Sequence, residues 1–206
     1  MIRTLTAAVI GLLILGSPGG ASAKEPNVMI VAGGCFWCVE SDFDKVPGVL
    51  STQSGYTGGL LINPTYKQVT RGGSGHLEAV RIEFDPAKTD FATLLEIYWR
   101  TVDPTDGGGQ FCDRGESYTT AIFAVTPEQK QLAEASKAAI EKSGVLDDPI
   151  ETQILYATPF YPAEDYHQDY HTKSPIRYRV YRYNCGRDKR VKAIWGDQAY
   201  RGVPGH

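Results

Sequence analysis

The order of strand and helix patterns between residues 28 and 125 constrains the fold more than any other feature of this sequence. An apolar run at 28–34 (VMIVAGG) predicts a buried strand, and CFWCVESDFDKV at 35–46 predicts a helix. Strands at 49–59 and 77–84, a helix at 90–102 and a strand at 118–125 follow. The order β-α-β-β-α-β is that of the split-βαβ arrangement. We therefore expect an α+β fold with a two-layer, ferredoxin-like core.

The second half of the chain adds further elements to this core. TPEQ at 126–129 is a capping box with proline at the first helical position, which predicts a helix that runs to Gly144. A strand at 150–157 and a short helix at 163–171 follow. We expect extra C-terminal helices and a tail, all within a single catalytic domain of residues 24–206.

The first 23 residues have the pattern of a secretory signal peptide. Arg3 supplies a positive n-region, AAVIGLLILG is an apolar run of h-region length, and ASA before Lys24 fits a cleavage site. No later segment offers the roughly 18 apolar residues that a membrane span needs. We expect cleavage after Ala23, export to the periplasm, and no membrane attachment after cleavage.

Charge and cysteine content narrow the classes of function. The full chain has a net charge of −3, and losing Arg3 makes it about −4, which indicates no nucleic-acid or anionic-membrane partner. Four cysteines in a chain of 206 residues are too few for a disulfide scaffold. Individual thiols are therefore expected to carry chemistry.

GGCFWCVE at 33–40 is the strongest chemical signal. Cys35 stands where a strand passes into a helix, and free N–H groups at a helix N-terminus lower a thiol pKa, so we expect a nucleophilic thiolate. The spacing to Cys38 also fits a thioredoxin-like redox pair, a structural disulfide or half of a zinc site. Phe36 and Trp37 cannot both face the core, so at least one is free to line a pocket.

A carboxyl group on an apolar strand face is the second candidate. Glu78 shares the alternating face of Val80, Ile82 and Phe84. An unpaired buried carboxylate is costly and holds its proton to a higher pH. Glu78 is therefore predicted to be a protonated general acid.

Three loop or strand-end residues offer further polar groups. Tyr66 lies in the long loop 58–76, which exceeds the needs of a tight turn, and Asp113 lies in GGQFCDRGESY. Tyr118 opens the strand predicted at 118–125. Together these side chains could converge on a substrate oxygen.

A metal site is not expected. His167 and His171 are four residues apart on a predicted helix, as two metal ligands would be, but Gln168 stands where zincins have glutamate. Cys112 and Cys185 are isolated and do not form a second C-x-x-C.

Several blocks of this sequence, in order, resemble the A-type peptide methionine sulfoxide reductases, which act on the S epimer at sulfur. The blocks are GGCFWCVE, PGVLSTQSGYTGG, NPTYKQV, GHLEAVRIEFDP, DPTDGGGQFCDRGESYTTAIF and TPFYPAEDYHQDY. The resemblance covers residues 28–171 and extends more loosely to Cys185. It implies a ferredoxin-like core and the reduction of free and protein-bound methionine sulfoxide, which repairs proteins oxidised under oxidative stress.

The resemblance also implies a role for each candidate. Cys35 would attack the sulfoxide sulfur and become a sulfenic acid, while Glu78 would protonate the sulfoxide oxygen. The substrate-binding residues would be Phe36, Trp37, Tyr66, Asp113 and Tyr118. A second thiol would form a disulfide with Cys35, which a thioredoxin-like donor, or dithiothreitol in vitro, would reduce. No bound cofactor is implied.

The identity of the second, resolving thiol stays open at this point. Cys185 is the first choice because it lies in RYNCGRD, a basic, glycine-containing tail where a mobile thiol could reach the site. Cys38 lies three residues from Cys35 on the same helix, and Cys112 adjoins Asp113. Family members often have a small residue at position 38, and some have a second tail cysteine.

Two other classes of function compete with this interpretation. A thioredoxin-like oxidoreductase would form a Cys35–Cys38 disulfide and would not need Glu78. An exported metal-binding or structural domain would use cysteine and histidine as ligands. For a reductase, the expected partners are oxidised proteins, free methionine sulfoxide and a thioredoxin-like electron donor, and we expect a monomer.

Overall fold

The computed structural model describes residues 27–206, so the predicted signal peptide at 1–23 lies outside the described residues. The strands in chain order are β1 Val28–Gly33, β2 Val49–Thr57, β3 Leu77–Phe84, β4 Gly109–Gln110, β5 Asp113–Arg114, β6 Thr120–Ala124, β7 Gln153–Tyr156 and β8 Tyr161–Pro162. The helices are α1 Phe36–Phe43, α2 Tyr66–Thr70, α3 Phe91–Trp99, α4 Pro127–Ser143, α5 Tyr170–Lys173, α6 Pro175–Cys185 and α7 Arg187–Trp195.

A six-stranded sheet forms the centre of the fold, with the strand order β7-β6-β1-β3-β2-β8. Strand β1 pairs antiparallel with both β3 and β6, and β2 pairs antiparallel with β3. Only the β6–β7 pair of this sheet is parallel. Strands β4 and β5 form a separate two-stranded ribbon. The predicted α+β class is confirmed.

No helix between residues 27 and 206 is long and apolar enough to cross a membrane.

Both faces of the sheet are covered, and the alternation along each strand decides which residue faces which layer. Val31 of β1 and Val80 of β3 belong to the main core, together with side chains of α1, α3 and α4. Ile30 and Ala79, their chain neighbours, belong to a smaller cluster that Phe160 partly covers. Side chains at even positions of β3 therefore point toward α1.

The N-cap and the start predicted for α4 are confirmed, since the backbone N–H of Gln129 donates to the Thr126 hydroxyl at 3.2 Å. The second half of the predicted capping box is wrong, because Gln129 Oε1 accepts from the Val125 N–H at 3.1 Å and not from the Thr126 N–H. Gly144 ends the helix in the left-handed conformation, with a φ of 65°. The strand predicted at 118–125 begins only at Thr120, because Tyr118 closes a 3-10 turn at Glu116–Tyr118.

The prediction of a helix at 163–171 is wrong. Only the last residues of that range are helical, since α5 begins at Tyr170 and Asp169 has a φ of 53°. The Gln168 side chain donates to the carbonyl groups of Ser54 at 2.9 Å and Ala163 at 2.8 Å, which fixes a non-helical turn against β2. His167 and His171 therefore do not share one helix face.

The C-terminal segment is not a mobile tail, which corrects the sequence-based prediction. Cys185 is the last residue of α6, and α7 follows after Gly186. The Arg182 guanidinium lies 2.8 Å from the buried carboxylate of Asp42 in α1. Arg187 is 1% exposed and donates to the Gly33 and Thr101 carbonyl groups, each at 2.9 Å. Buried ion pairs and hydrogen bonds thus hold both helices against the end of β1.

Replacing Arg187 with methionine is expected to lower the free energy of unfolding by about 3 kcal/mol, because two buried carbonyl groups lose their donor. Urea unfolding at neutral pH measures the change. Lys189→Met is the matched control, since Lys189 lies on the same helix and is exposed. Equal unfolding midpoints for the two variants would contradict the structural role assigned to Arg187.

Candidate active site

Cys35 lies at the point where β1 passes into α1. It is the N-cap residue of α1, and its carbonyl group accepts a hydrogen bond from the Cys38 N–H at 3.1 Å. Gly34 precedes it with a φ of 78°, and a β-carbon there would approach the Gln110 side chain to 2.6 Å. Glycine is therefore required for the turn that presents Cys35.

The predicted thiolate at Cys35 is not what the structure favours. Cys35 is only 6% exposed, and burial raises the pKa of its thiol well above the ordinary value. A hydrogen bond with Cys38 and the charges of Cys38 and Glu78 raise it further. The first free N–H of α1, on Phe36, is donated to Glu78 and not to sulfur. The free N–H at the start of α1 therefore binds the Glu78 carboxyl group and does not stabilise a Cys35 thiolate.

Glu78 is buried on the α1 side of the sheet, as the alternation predicted. It is 2% exposed, and its Oε2 accepts a hydrogen bond from the Phe36 N–H at 3.0 Å. Desolvation raises the pKa of Glu78 to about 8, and the charge of Asp113 acts in the same direction against the Phe36 hydrogen bond. Glu78 therefore holds a proton at neutral pH beside the Cys35 thiol.

Aromatic rings surround the two residues that follow Cys35. The Phe36 ring is 1% exposed and lies 6.0 Å, between centroids, from Tyr56. Trp37 is half-buried, stacks on Tyr170 at 3.9 Å, and its indole N–H donates to His167 Nδ1 at 3.1 Å. Phe36 and Trp37 therefore form the predicted apolar wall, and Trp37 is the more exposed of the two.

The three predicted polar residues converge near Glu78. The hydroxyl groups of Tyr66 and Tyr118 each affect the pKa of the other. Burial, with the Glu78 charge, raises the pKa of Tyr66 to about 12 and raises that of Tyr118 as well. Burial also raises the pKa of Asp113, whose charge acts on Glu78 and on both tyrosines. These groups can hold a small polar atom together.

The remaining cysteines meet at the edge of this site. Cys112 and Cys185 form a disulfide, although 73 residues separate them in sequence. Cys185 Sγ lies 3.7 Å from the Asp113 carboxylate. Cys35 and Cys38 are both free thiols, so the disulfide that a thioredoxin-like pair would form is not present here.

The sequence-based site lacked two residues that the structure adds. Tyr181 of α6 donates a hydrogen bond to Asp113 and lies edge-on to Trp37 at 5.7 Å. His167 lies between the rings of Phe36, at 5.0 Å, and Tyr66, at 4.5 Å. A helical spacing of Tyr178, Tyr181 and Cys185 in IRYRVYRYNC was the available signal for Tyr181.

Metal ligation does not fit the one cluster of candidate ligands within residues 27–206. Cys112, Asp113 and Cys185 place one ligand atom each within 4.8 Å of the others. The two sulfur atoms are bonded to each other, and a disulfide offers no thiolate ligand. The absence of a metal site stays a prediction.

The sequence matches the protein family described as peptide methionine sulfoxide reductase over residues 27–199. This chain belongs to the peptide methionine sulfoxide reductase family. Peptide methionine sulfoxide reductase MsrA 2 of Rhizobium meliloti (strain 1021) is 55% identical over 183 residues, which cover 89% of this chain and 90% of that protein. MsrA 2 of Caulobacter vibrioides is 51% identical over 197 residues, with 95% and 100% covered.

Two solved structures have a fold similar to that of this chain. Methionine sulfoxide reductase A of Corynebacterium diphtheriae matches with a TM-score of 0.64 and 32% identity, over 74% of this chain and 77% of that one. The reduced form of Mxr1 from Saccharomyces cerevisiae matches with a TM-score of 0.66 and 26% identity, over 72% and 85%. Membership of the family therefore rests on both sequence and structure.

Replacing Glu78 with glutamine is expected to reduce the pH dependence of stability. The pKa of Glu78 is about 8 in the folded protein against an ordinary value of 4.5. Its contribution to stability is therefore fully present below pH 4.5 and is lost as the pH rises through 8. Relative to the parent protein, Glu78→Gln should become progressively more stable between pH 5 and 8, as measured by urea unfolding.

A matched control separates this effect from the general titration of the protein. Glu151→Gln removes an exposed carboxyl group and should leave the stability profile parallel to that of the parent. Burial raises the pKa of Glu40 to about 7. Glu40 therefore adds the same change of unfolding free energy with pH to all three proteins. A Glu78→Gln profile that also runs parallel to the parent would show that Glu78 is ionised throughout this range.

Proposed function

We propose that this chain reduces the S epimer of methionine sulfoxide to methionine, with Cys35 as the nucleophile and Glu78 as the proton donor. The observation that carries this assignment is the hydrogen bond between the Phe36 N–H and Glu78, which holds a neutral acid one residue from the thiol. Family membership supports the reaction. The substrates are oxidised proteins and free methionine sulfoxide.

The chemistry needs both groups at once. A sulfoxide oxygen is a poor leaving group until it is protonated, so a neutral acid must stand beside the attacking sulfur. Cys35 sulfur attacks the sulfoxide sulfur while Glu78 gives its proton to the oxygen. The oxygen then passes to Cys35, which becomes a sulfenic acid as methionine leaves. Cysteine is oxidised by two electrons and methionine sulfoxide is reduced by two.

Aromatic and polar side chains divide substrate binding between them. Phe36 and Trp37 would enclose the S-methyl group, since both rings are largely out of water. Tyr66, Asp113 and Tyr118 would hold the sulfoxide oxygen, because their polar groups converge near Glu78. A pocket that is poor in water both accepts the methyl group and keeps Glu78 protonated.

Cys185 is the thiol that resolves the Cys35 sulfenic acid. Its sulfur lies beside Asp113, and Tyr181 links Asp113 to the surroundings of Cys35. Condensation of the two residues forms a Cys35–Cys185 disulfide and releases water. Attack by Cys112 on Cys185 then forms the Cys112–Cys185 disulfide and frees Cys35. Cys38 and Cys112 are the alternative resolving thiols.

A thioredoxin-like donor completes the cycle. Cys112 is exposed, so an external dithiol can attack the Cys112–Cys185 disulfide and return both cysteines to thiols. Dithiothreitol takes this role in vitro. No bound cofactor enters this scheme, and we expect the protein to act as a monomer.

The remaining assignments concern location and architecture. Residues 1–23 are proposed as a secretory signal peptide and residues 24–206 as one catalytic domain, which places the enzyme in the periplasm. N-terminal sequencing of the protein from its producing cells should begin at Lys24. The antiparallel order β6-β1-β3-β2 supports a ferredoxin-like core.

The reaction is tested with separated epimers of an N-blocked methionine sulfoxide and dithiothreitol. Purified, metal-free protein should release methionine from the S epimer alone, and Cys35→Ser should abolish that release. Glu78→Gln should retain much of the rate because an amide still donates a hydrogen bond, whereas Glu78→Ala should lose more. Reduction of neither epimer by the parent protein would reject the function.

The order of disulfides is tested with single-turnover reactions and peptide mass spectrometry. Cys185→Ser should release one equivalent of methionine and then stop with thioredoxin as the reductant. Cys112→Ser should accumulate the Cys35–Cys185 disulfide, whereas Cys38→Ser, the control, should form Cys112–Cys185 as the parent does. Normal thioredoxin-driven turnover of Cys185→Ser would move the resolving role to Cys38 or Cys112.

A further inference from the structure

Three consecutive apolar side chains are exposed in the loop that follows β2. Leu60, Leu61 and Ile62 have exposed fractions of 95%, 38% and 74%, and we call them the 60–62 patch. Single apolar residues on a protein surface are ordinary, but a contiguous group marks a surface that another molecule covers. The question is which molecule covers the 60–62 patch.

The backbone of this loop is held in place by a buried histidine. The Gly59 N–H donates to His76 Nδ1 at 3.2 Å, so the neutral ring carries its proton on Nε2. That Nε2 lies 2.8 Å from the Leu61 carbonyl oxygen and donates to it. His76 is 1% exposed, and the Tyr161 ring packs edge-on against it at 5.7 Å. The patch is therefore presented on a fixed backbone, which loses little conformational entropy when a partner binds.

Both ends of the loop lie at the candidate active site. Before the loop, Tyr56 of β2 pairs in register with Glu78 of β3. After the loop, the ring of Tyr66 lies 4.5 Å from that of His167. Tyr66 follows the 60–62 patch by four residues, and four residues of extended chain span at most about 14 Å. The patch is therefore continuous with the residues that would bind methionine sulfoxide.

The chemistry of an oxidised protein indicates what its segments offer to this surface. Methionine is among the residues most often buried, and its oxidation places a polar group in an apolar core. The core opens, and the apolar side chains that packed around the methionine become exposed. A protein substrate therefore arrives as a partly unfolded segment with apolar residues on either side of its sulfoxide.

We propose that the 60–62 patch is a docking surface for apolar side chains of a partly unfolded protein substrate, about four residues from its methionine sulfoxide. This proposal rests on the reductase function proposed above. An extended chain advances about 3.3 Å per residue, so four residues of substrate match the distance of about 14 Å. Docking adds affinity for protein-bound over free methionine sulfoxide and leaves the chemical step unchanged.

A membrane or a second copy of this chain is a less suitable occupant. Either one, seated on the 60–62 patch, would compete with a bound peptide for the space beside the site. A substrate chain occupies that space already, because its sulfoxide is held between Tyr66 and Glu78. The position of the patch therefore favours the substrate.

The test compares three substrates that contain the S epimer of methionine sulfoxide. One peptide has leucine at three and four residues on each side of a central sulfoxide, a second has serine at those positions, and the third substrate is the N-blocked amino acid. The parent protein should reduce the leucine peptide with a kcat/KM about tenfold above that of the serine peptide. The difference should lie in KM, since docking binds substrate and transition state alike.

Leu60→Ser/Ile62→Ser should remove this preference. The double variant should lose about tenfold in kcat/KM on the leucine peptide and stay within about twofold of the parent on the other two substrates. Leu50→Ser is the matched control, because Leu50 is 66% exposed and lies at the opposite end of β2 from Tyr56. The control should keep the preference, and urea unfolding midpoints should agree among the three proteins, since the substituted side chains are exposed.

Four results would overturn the proposal. The first is equal kcat/KM of the parent on the two peptides, and the second is an equal loss of the double variant on all three substrates. The third is the same selective loss in Leu50→Ser. The fourth is co-sedimentation of the parent with phosphatidylglycerol vesicles, or a dimer in light scattering, that the double variant abolishes while its peptide preference is unchanged.

The docking surface and the reductase function fail in different ways. If the parent reduces the S epimer of the blocked amino acid but does not distinguish the peptides, only the docking surface fails. If the parent reduces neither epimer, the reductase function fails. Fluorescence anisotropy with labelled peptides would then show whether the parent still binds the leucine peptide more tightly than the serine peptide, and whether Leu60→Ser/Ile62→Ser removes that difference.

Discussion

One hydrogen bond, from the Phe36 N–H at the start of α1 to the Glu78 carboxyl group on β3, holds the candidate site together. It uses the first free donor of the helix, so the adjacent thiol of Cys35 gains no stabilisation from that group. It also joins the two elements that carry the nucleophile and the acid. The burial that raises the pKa of Glu78 raises that of Cys35 too, so one environment favours the acid and disfavours the thiolate.

The C-terminal helices bring the proposed resolving thiol to this site. Helix α6 packs Tyr181 against the cluster of Cys35, Cys38 and Tyr178 and holds Cys185 beside Asp113. Buried contacts of Arg182 and Arg187 fix the positions of α6 and α7. The resolving thiol is therefore held at the edge of the site by two anchored helices.

The features predicted correctly from the sequence are those that depend on local periodicity. Alternation along β3 placed Glu78 inside, and the Thr126 N-cap followed by Pro127 located the start of α4, because both patterns are set by neighbouring residues. Tyr181 could not be assigned in the same way, since it meets Trp37 and Asp113 through packing between distant segments. The pKa of Cys35 was predicted in the wrong direction because the thiol is buried, and because the N–H of Phe36 donates to Glu78, an acceptor 42 residues away. The turn at His167 depends on Gln168 bonding to β2, a contact that periodicity does not encode.

The protonation state of Glu78 at neutral pH is the central claim, and carbon-13 NMR of the labelled glutamate carboxyl carbons tests it directly. The difference between spectra of the parent protein and Glu78→Gln identifies the resonance. The account predicts a titration with a midpoint near pH 8, so that the resonance at pH 7 is mainly that of a carboxylic acid. A resonance that is already that of a carboxylate at pH 6 would contradict it.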